Sequence, residues 1–114
     1  MAFVLSQSTS YLWPVTVQFP VDHGRFEKQT FDAEFKRLPQ SRIDQVIERS
    51  DNVSVNDTDF AREVLLGWVG VQDDKKQDIP FSVEAANRLL ELPLVAGAIV
   101  QAFFASLTGA KTKN

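Results

Sequence analysis

His23 is the one imidazole in a chain of 114 residues, and no cysteine accompanies it. In Asp22-His23-Gly24 an enzyme would use that imidazole as a general base oriented by Asp22. The competing reading is a solvated turn residue, because a turn tip rarely supplies the structured pocket a base needs. Asp51, Asp57, Asp59 and the group Asp73, Asp74 and Asp78 are the available hard-metal ligands. The stretch from Asp73 to Asp78 lacks the regular spacing and closing Glu of a calcium loop, and Lys75 and Lys76 within it repel a cation. Gly67-Trp-Val-Gly70 has too few glycines for a phosphate cradle and no Gly-Lys-Ser/Thr ending. The expectation is a protein with no catalytic residue, no metal ligand and no cofactor.

Composition points the same way. Zero Cys excludes a disulfide framework, Cys-ligated zinc and thiol catalysis. Twelve Lys and Arg against fifteen Asp and Glu leave a net charge of −3, opposite to the basic patch that non-specific nucleic-acid binding requires. A 44% hydrophobic share in 114 residues suits one compact core. Met1-Ala-Phe-Val-Leu-Ser has no positive charge ahead of a long apolar stretch, so it does not read as a secretory signal. The uncharged run 92–107 is shorter than the roughly 18–20 residues of a membrane span. These features lead to the expectation of a soluble intracellular protein with neither nucleic acid nor membrane as partner.

The elements that would position any binding residue follow from periodicity. Residues 1–12 read as a loose arm. Trp13, Val15, Val17, Phe19 and Val21 alternate with polar residues, as in a half-buried strand, and Pro14 and Pro20 mark it as an edge. Asp22-His23-Gly24 opens a longish loop. Phe31, Ala33 and Phe35 then share one face of a second strand, and the two strands make an antiparallel hairpin. Ser41-Arg-Ile-Asp44 matches a capping box at a helix start. Residues 50–56 read as a loop, and Asn56, Asp57 and Thr58 are candidate caps. A second helix is predicted over 59–69, with Phe60, Val64, Leu65 and Trp68 on one face and Gly70 ending it in a left-handed conformation. Ile79-Pro80-Phe81 reads as an apolar plug. Ser82 caps a helix over 83–92, and Pro93 stands at the first position of a last helix over 93–108 that Gly109 stops. The fold class is α+β: an N-terminal β-hairpin followed by about four α-helices. The domain spans 13–110, and a short basic tail occupies 111–114.

The last helix is apolar nearly all round, with Val95, Ile99 and Phe103 on one face and Leu94, Phe104 and Leu107 on another. Such a helix is either central to a core or shared with a partner. Both readings stay open, and the expected surfaces for self-association or partner contact are Val95, Ile99, Phe103 and Phe104, with Phe31 and Phe35 at the hairpin. Trp68 reads as core.

Four blocks carry a resemblance: Phe31-Asp-Ala-Glu-Phe35-Lys-Arg-Leu38-Pro39, Glu63-Val-Leu-Leu-Gly67-Trp68-Val-Gly70-Val71, Pro80-Phe81-Ser82, and Leu107-Thr-Gly109-Ala110-Lys-Thr-Lys113-Asn114. In order and spacing they resemble the tail assembly chaperones of long-tailed bacteriophages and prophages. One departure is that Lys75 and Lys76 stand where a Gly is expected in the loop after Val71, which bears on that turn and not on the helices. The resemblance implies a homo-oligomeric protein, absent from the virion, that keeps the helical tape measure protein soluble and promotes polymerisation of the major tail protein around it. It further implies a frameshifted longer product that recruits the major tail protein. Thr112-Lys113-Asn114 is compatible with the codons ACA-AAA-AAC, which contain the slippery run A-AAA-AAC. Two alternatives stand beside this reading: a tail completion or head–tail connector subunit retained in the virion, and a small enzyme centred on His23.

Overall fold

In the computed structural model, residues 3–52 and 57–108 are described, with the side chains of 48–52 and 57 left aside. Strand β1 (Ser10–Val21) and strand β2 (Arg25–Lys36) form a hairpin, followed by helices α1 (Gln40–Asn52) and α2 (Asp57–Val64), strand β3 (Leu65–Val69), and helices α3 (Val83–Leu90) and α4 (Val95–Thr108). The sheet order is β1-β2-β3, with both pairings antiparallel. The α+β class, with a hairpin ahead of four helices in one small domain, is the architecture predicted above.

β1 and β2 pair without interruption from Ser10 opposite Lys36 to Val21 opposite Arg25. Only three residues, Asp22 to Gly24, make the turn. The hairpin is therefore longer than its hydrophobic pattern suggests, because residues 20–30 are exposed and nothing in that half selects apolar side chains. His23 (φ 67°) and Gly24 (φ 72°) supply the positive φ angles that a tight turn needs. His23 is exposed.

The region after α2 departs from expectation. The helix predicted over 59–69 stops at Val64, and Leu65–Val69 pairs with β2 as a third strand. Phe60, Val64, Leu65 and Trp68 fit a helical period, but Leu65 and Gly67 are also the buried positions of an alternating strand. The pairing skips Leu66, which makes a bulge and turns outward. Gly67 is buried opposite Glu34, where an added Cβ would lie 2.7 Å from Glu34 Oε1. Gly70 does adopt a left-handed φ (93°), but it ends this strand and not a helix.

Helix boundaries shift for identifiable reasons. α1 starts at Gln40 because the Pro39 carbonyl accepts from the amides of Arg42 and Ile43, so Ser41 lies inside the helix and the predicted capping box does not form. α1 continues through Asn52, into the segment read as loop, and Asn56 lies outside the described residues. Ser82 caps α3 as expected, its Oγ accepting from the Ala85 amide at 3.0 Å. Pro93 is not the first residue of α4. α3 ends at Leu90, and Leu94 takes a left-handed φ of 76° with its carbonyl accepting from Ala98. This corner sets α3 and α4 at 103° to each other. No single helix among the described residues is long and apolar enough to cross a membrane. Gly109 and the basic tail lie outside the described residues.

The core lies between the sheet and the helices. Val15, Val17, Phe31, Ala33 and Phe35 face Phe60, Val64, Ile99 and Phe103. α1 is tied to α2 by Arg42, whose Nε and Nη2 donate to both Glu63 oxygens (2.8 and 2.5 Å). Its hydrogen bonds to the Glu63 carboxylate raise the guanidinium pKa further, so Arg42 stays charged at any ordinary pH.

The loop where a glycine was expected closes without one. Asp73 Oδ1 accepts from the amides of Lys75 and Gln77, and Lys76 takes a left-handed φ of 62°. A side chain in that conformation costs about 1–2 kcal/mol, partly offset by the extra unfolded-state entropy of glycine, about 0.5–1 kcal/mol. Lys76→Gly is expected to raise stability by about 0.5–1 kcal/mol, read as a higher urea midpoint with an unchanged slope.

Candidate functional site

The residues singled out as contact surfaces separate into two groups. Phe35, Val95, Ile99 and Phe103 are buried, and Phe31 is nearly so. They face one another inside the chain, and Phe31 and Val95 also border a small recess. Phe104 is half-buried, its ring stacked on Phe60 at 5.7 Å. α4 thus uses its Val95-Ile99-Phe103 face for the core, while Leu94, Gln101 and Leu107 are exposed. Burial of the whole helix, one of the two readings open above, is not what the fold does.

An open apolar surface lies elsewhere, between the end of β3 and α3. A groove of about 460 Å³ is floored by Trp68, Val71, Ile79, Ala85, Leu89 and Leu92, with the exposed Gln72, Arg88 and Glu91 beside them. A smaller recess of about 150 Å³ adjoins it, sharing Val71, Leu89 and Leu92 and reaching Phe19 and Phe31 under the hairpin. The combination of an apolar floor and a few polar groups is the usual make-up of a binding cleft.

Three local devices build the groove. Trp68 Nε1 donates to the Ile79 carbonyl at 2.7 Å, and its ring meets Phe81 edge-on at 4.8 Å. The Ile79-Pro80-Phe81 plug is therefore a wall fixed by Trp68, which is half-buried and not core as predicted. The Ile79 amide donates to the Val71 carbonyl at 2.8 Å, folding the polar loop back beside β3. Gly70 lets the chain turn close against β2, with Phe31 Cα 3.8 Å from where its Cβ would stand.

Sequence periodicity missed the groove because its walls come from three segments. Leu89 and Leu92 read as the inner face of a helix, and Ile79 as part of a plug. The available signal was the clustering of Trp68, Val71 and Phe81 within the blocks that carry the family resemblance.

The groove does not suit hard-metal chemistry. Among the described residues no group of three His, Cys, Asp or Glu is placed to hold a metal ion. Its chemistry is the burial of apolar side chains, with an Arg and a Glu to orient what lies across it.

Comparison with known proteins adds one match. Neither a curated protein nor a solved structure matches the chain. The profile of the YdaY prophage protein family matches residues 27–108. That stretch runs from within β2 to the end of α4 and includes every groove residue. With more than two thirds of the sequence matched, over the segment that builds both core and groove, the chain belongs to the YdaY prophage protein family.

Proposed function

We propose that this prophage protein is a tail assembly chaperone whose groove receives an apolar helical segment of the tape measure protein. One observation carries the reading. The two inner blocks of the resemblance, Gly67-Trp-Val-Gly70-Val71 and Pro80-Phe81-Ser82, meet through the Trp68–Phe81 contact beside an apolar cleft lined by Trp68 and Val71. A chaperone for a long amphipathic helix needs such a cleft and no catalytic group. Many copies along one helix hold it by avidity without tight individual contacts.

In this reading the protein acts in the host cytoplasm as a homo-oligomer and leaves before the virion is complete. A frameshifted longer product brings in the major tail protein. Reading the gene at Thr112-Lys113-Asn114 checks that last element: codons ACG-AAG-AAT, with no slippery run nearby, would remove it.

The direct test is capture of a purified tape measure fragment from the same prophage by the folded protein. Association is expected at micromolar protein. No association with the folded protein in excess, or stoichiometric presence in purified particles by mass spectrometry, would overturn the reading.

A further inference from the structure

We infer that two copies of this chain exchange their N-terminal arms, each seating Phe3, Val4 and Leu5 in the Trp68–Leu92 groove of the other. The arm is anchored at its base. The Thr9 carbonyl accepts from the Arg37 amide at 3.0 Å, and Ser8 Oγ accepts from Arg37 Nε at 3.3 Å. Beyond this anchor Phe3 is 89% and Leu5 91% exposed, and Val4 is exposed as well. Three consecutive apolar side chains in water and an open apolar cleft in the same molecule complement each other.

The arm's position favours a second copy over its own groove. It prolongs β1, one edge of the sheet, whereas the groove lies past β3, the opposite edge. Its base also sits at the far end of α4. Tyr11, the second residue of β1, hydrogen-bonds Ser106 at 2.6 Å near the C-terminus of α4, whereas Leu92 lies just before its N-terminus. The 14 residues of α4 span about 21 Å. The five residues Phe3 to Gln7 reach at most about 17 Å when fully extended, and Gln7 Nε2 donating to the Val4 carbonyl shortens them further.

Reciprocal exchange also yields enough interface. Three apolar side chains bring about 400 Å² of arm to a groove whose own exposed wall is smaller, so two arms bury about 1,000 Å², the size of a weak, reversible interface. The contact is isologous and closes as a two-fold dimer. It does not depend on the tape measure reading, although a helical client would compete with the arm for the same floor.

The absence of Cys makes the test clean. Leu5→Cys and Gln72→Cys, both at exposed sites, each introduce the sole thiol of their chain. Under mild oxidation a mixture of the two is expected to give a disulfide-linked heterodimer well above the homodimer from either alone. Sedimentation of the full chain is expected to show a dimer whose dissociation constant rises at least about ten-fold in Leu5→Asp, with circular dichroism unchanged. A monomer at all concentrations, a mixture with no heterodimer above background, or a dimer untouched by Leu5→Asp would each overturn the exchange. So would a Leu5→Cys/Gln72→Cys double variant whose cross-link stays intramolecular at every dilution, because the arm would then occupy its own groove.

Discussion

Phe103→Ala is expected to destabilise the fold by about 3–5 kcal/mol, a large part of the roughly 5–15 kcal/mol that holds a domain of this kind folded. Phe103 is 0% exposed. Its ring meets Phe35 of β2 edge-on at 5.4 Å, Phe60 of α2 at 5.6 Å and Phe104 of its own helix at 5.6 Å. Removing it opens a cavity where sheet, α2 and α4 meet and deletes three edge-to-face contacts together. The surrounding rings cannot collapse into the space, since Phe35 is held by Tyr11 at 6.0 Å and Phe60 is stacked on Phe104. Phe104→Ala keeps that centre intact and removes one face of a half-buried stack, for an expected loss of about 1–2 kcal/mol. Urea unfolding followed by circular dichroism separates the two variants. Equal losses would mean that the core is centred differently from the arrangement described.

The same pair of residues shows which parts of this protein are legible in its sequence. The face shared by Phe31, Ala33 and Phe35 could be read because strict alternation has one structural meaning. Ser82 could be read as a cap because its hydroxyl has a local task, three residues from its partner. β3 could not, since Phe60, Val64, Leu65 and Trp68 satisfy a helical period while Leu65 and Gly67 satisfy a strand period. The tie is broken by pairing with β2, thirty or more residues earlier in the chain. α4 posed a different problem. Its apolarity on every side gave no contrast between inner and outer faces, so Val95, Ile99 and Phe103 read equally well as core or as interface. The groove is invisible for a related reason: Trp68, Ile79 and Leu89 become neighbours only after the loop at 72–78 folds back.

Leu92→Glu is expected to weaken capture of the tape measure fragment by at least about ten-fold while leaving the fold intact. Leu92 is 46% exposed at the corner between α3 and α4, so a polar side chain there can turn to water. What it loses is the apolar floor a client would cover, about 1.5–3 kcal/mol for a leucine fully buried on binding, which corresponds to ten-fold or more. A carboxylate beside Glu91 adds a second charge that an incoming apolar face would have to desolvate. Trp68 reports the event directly, because its indole forms the groove wall and donates to Ile79. Trp13→Phe leaves it as the only tryptophan, and its emission is expected to shift to the blue when the fragment binds. Val83→Glu serves as the matched control. Val83 is more exposed than Leu92, lies on α3 outside the groove, and as a first-turn position tolerates an acidic residue. Loss of binding in Leu92→Glu with retention in Val83→Glu ties the activity to the cleft. Equal losses in both would show that general surface apolarity, and not this groove, drives the association.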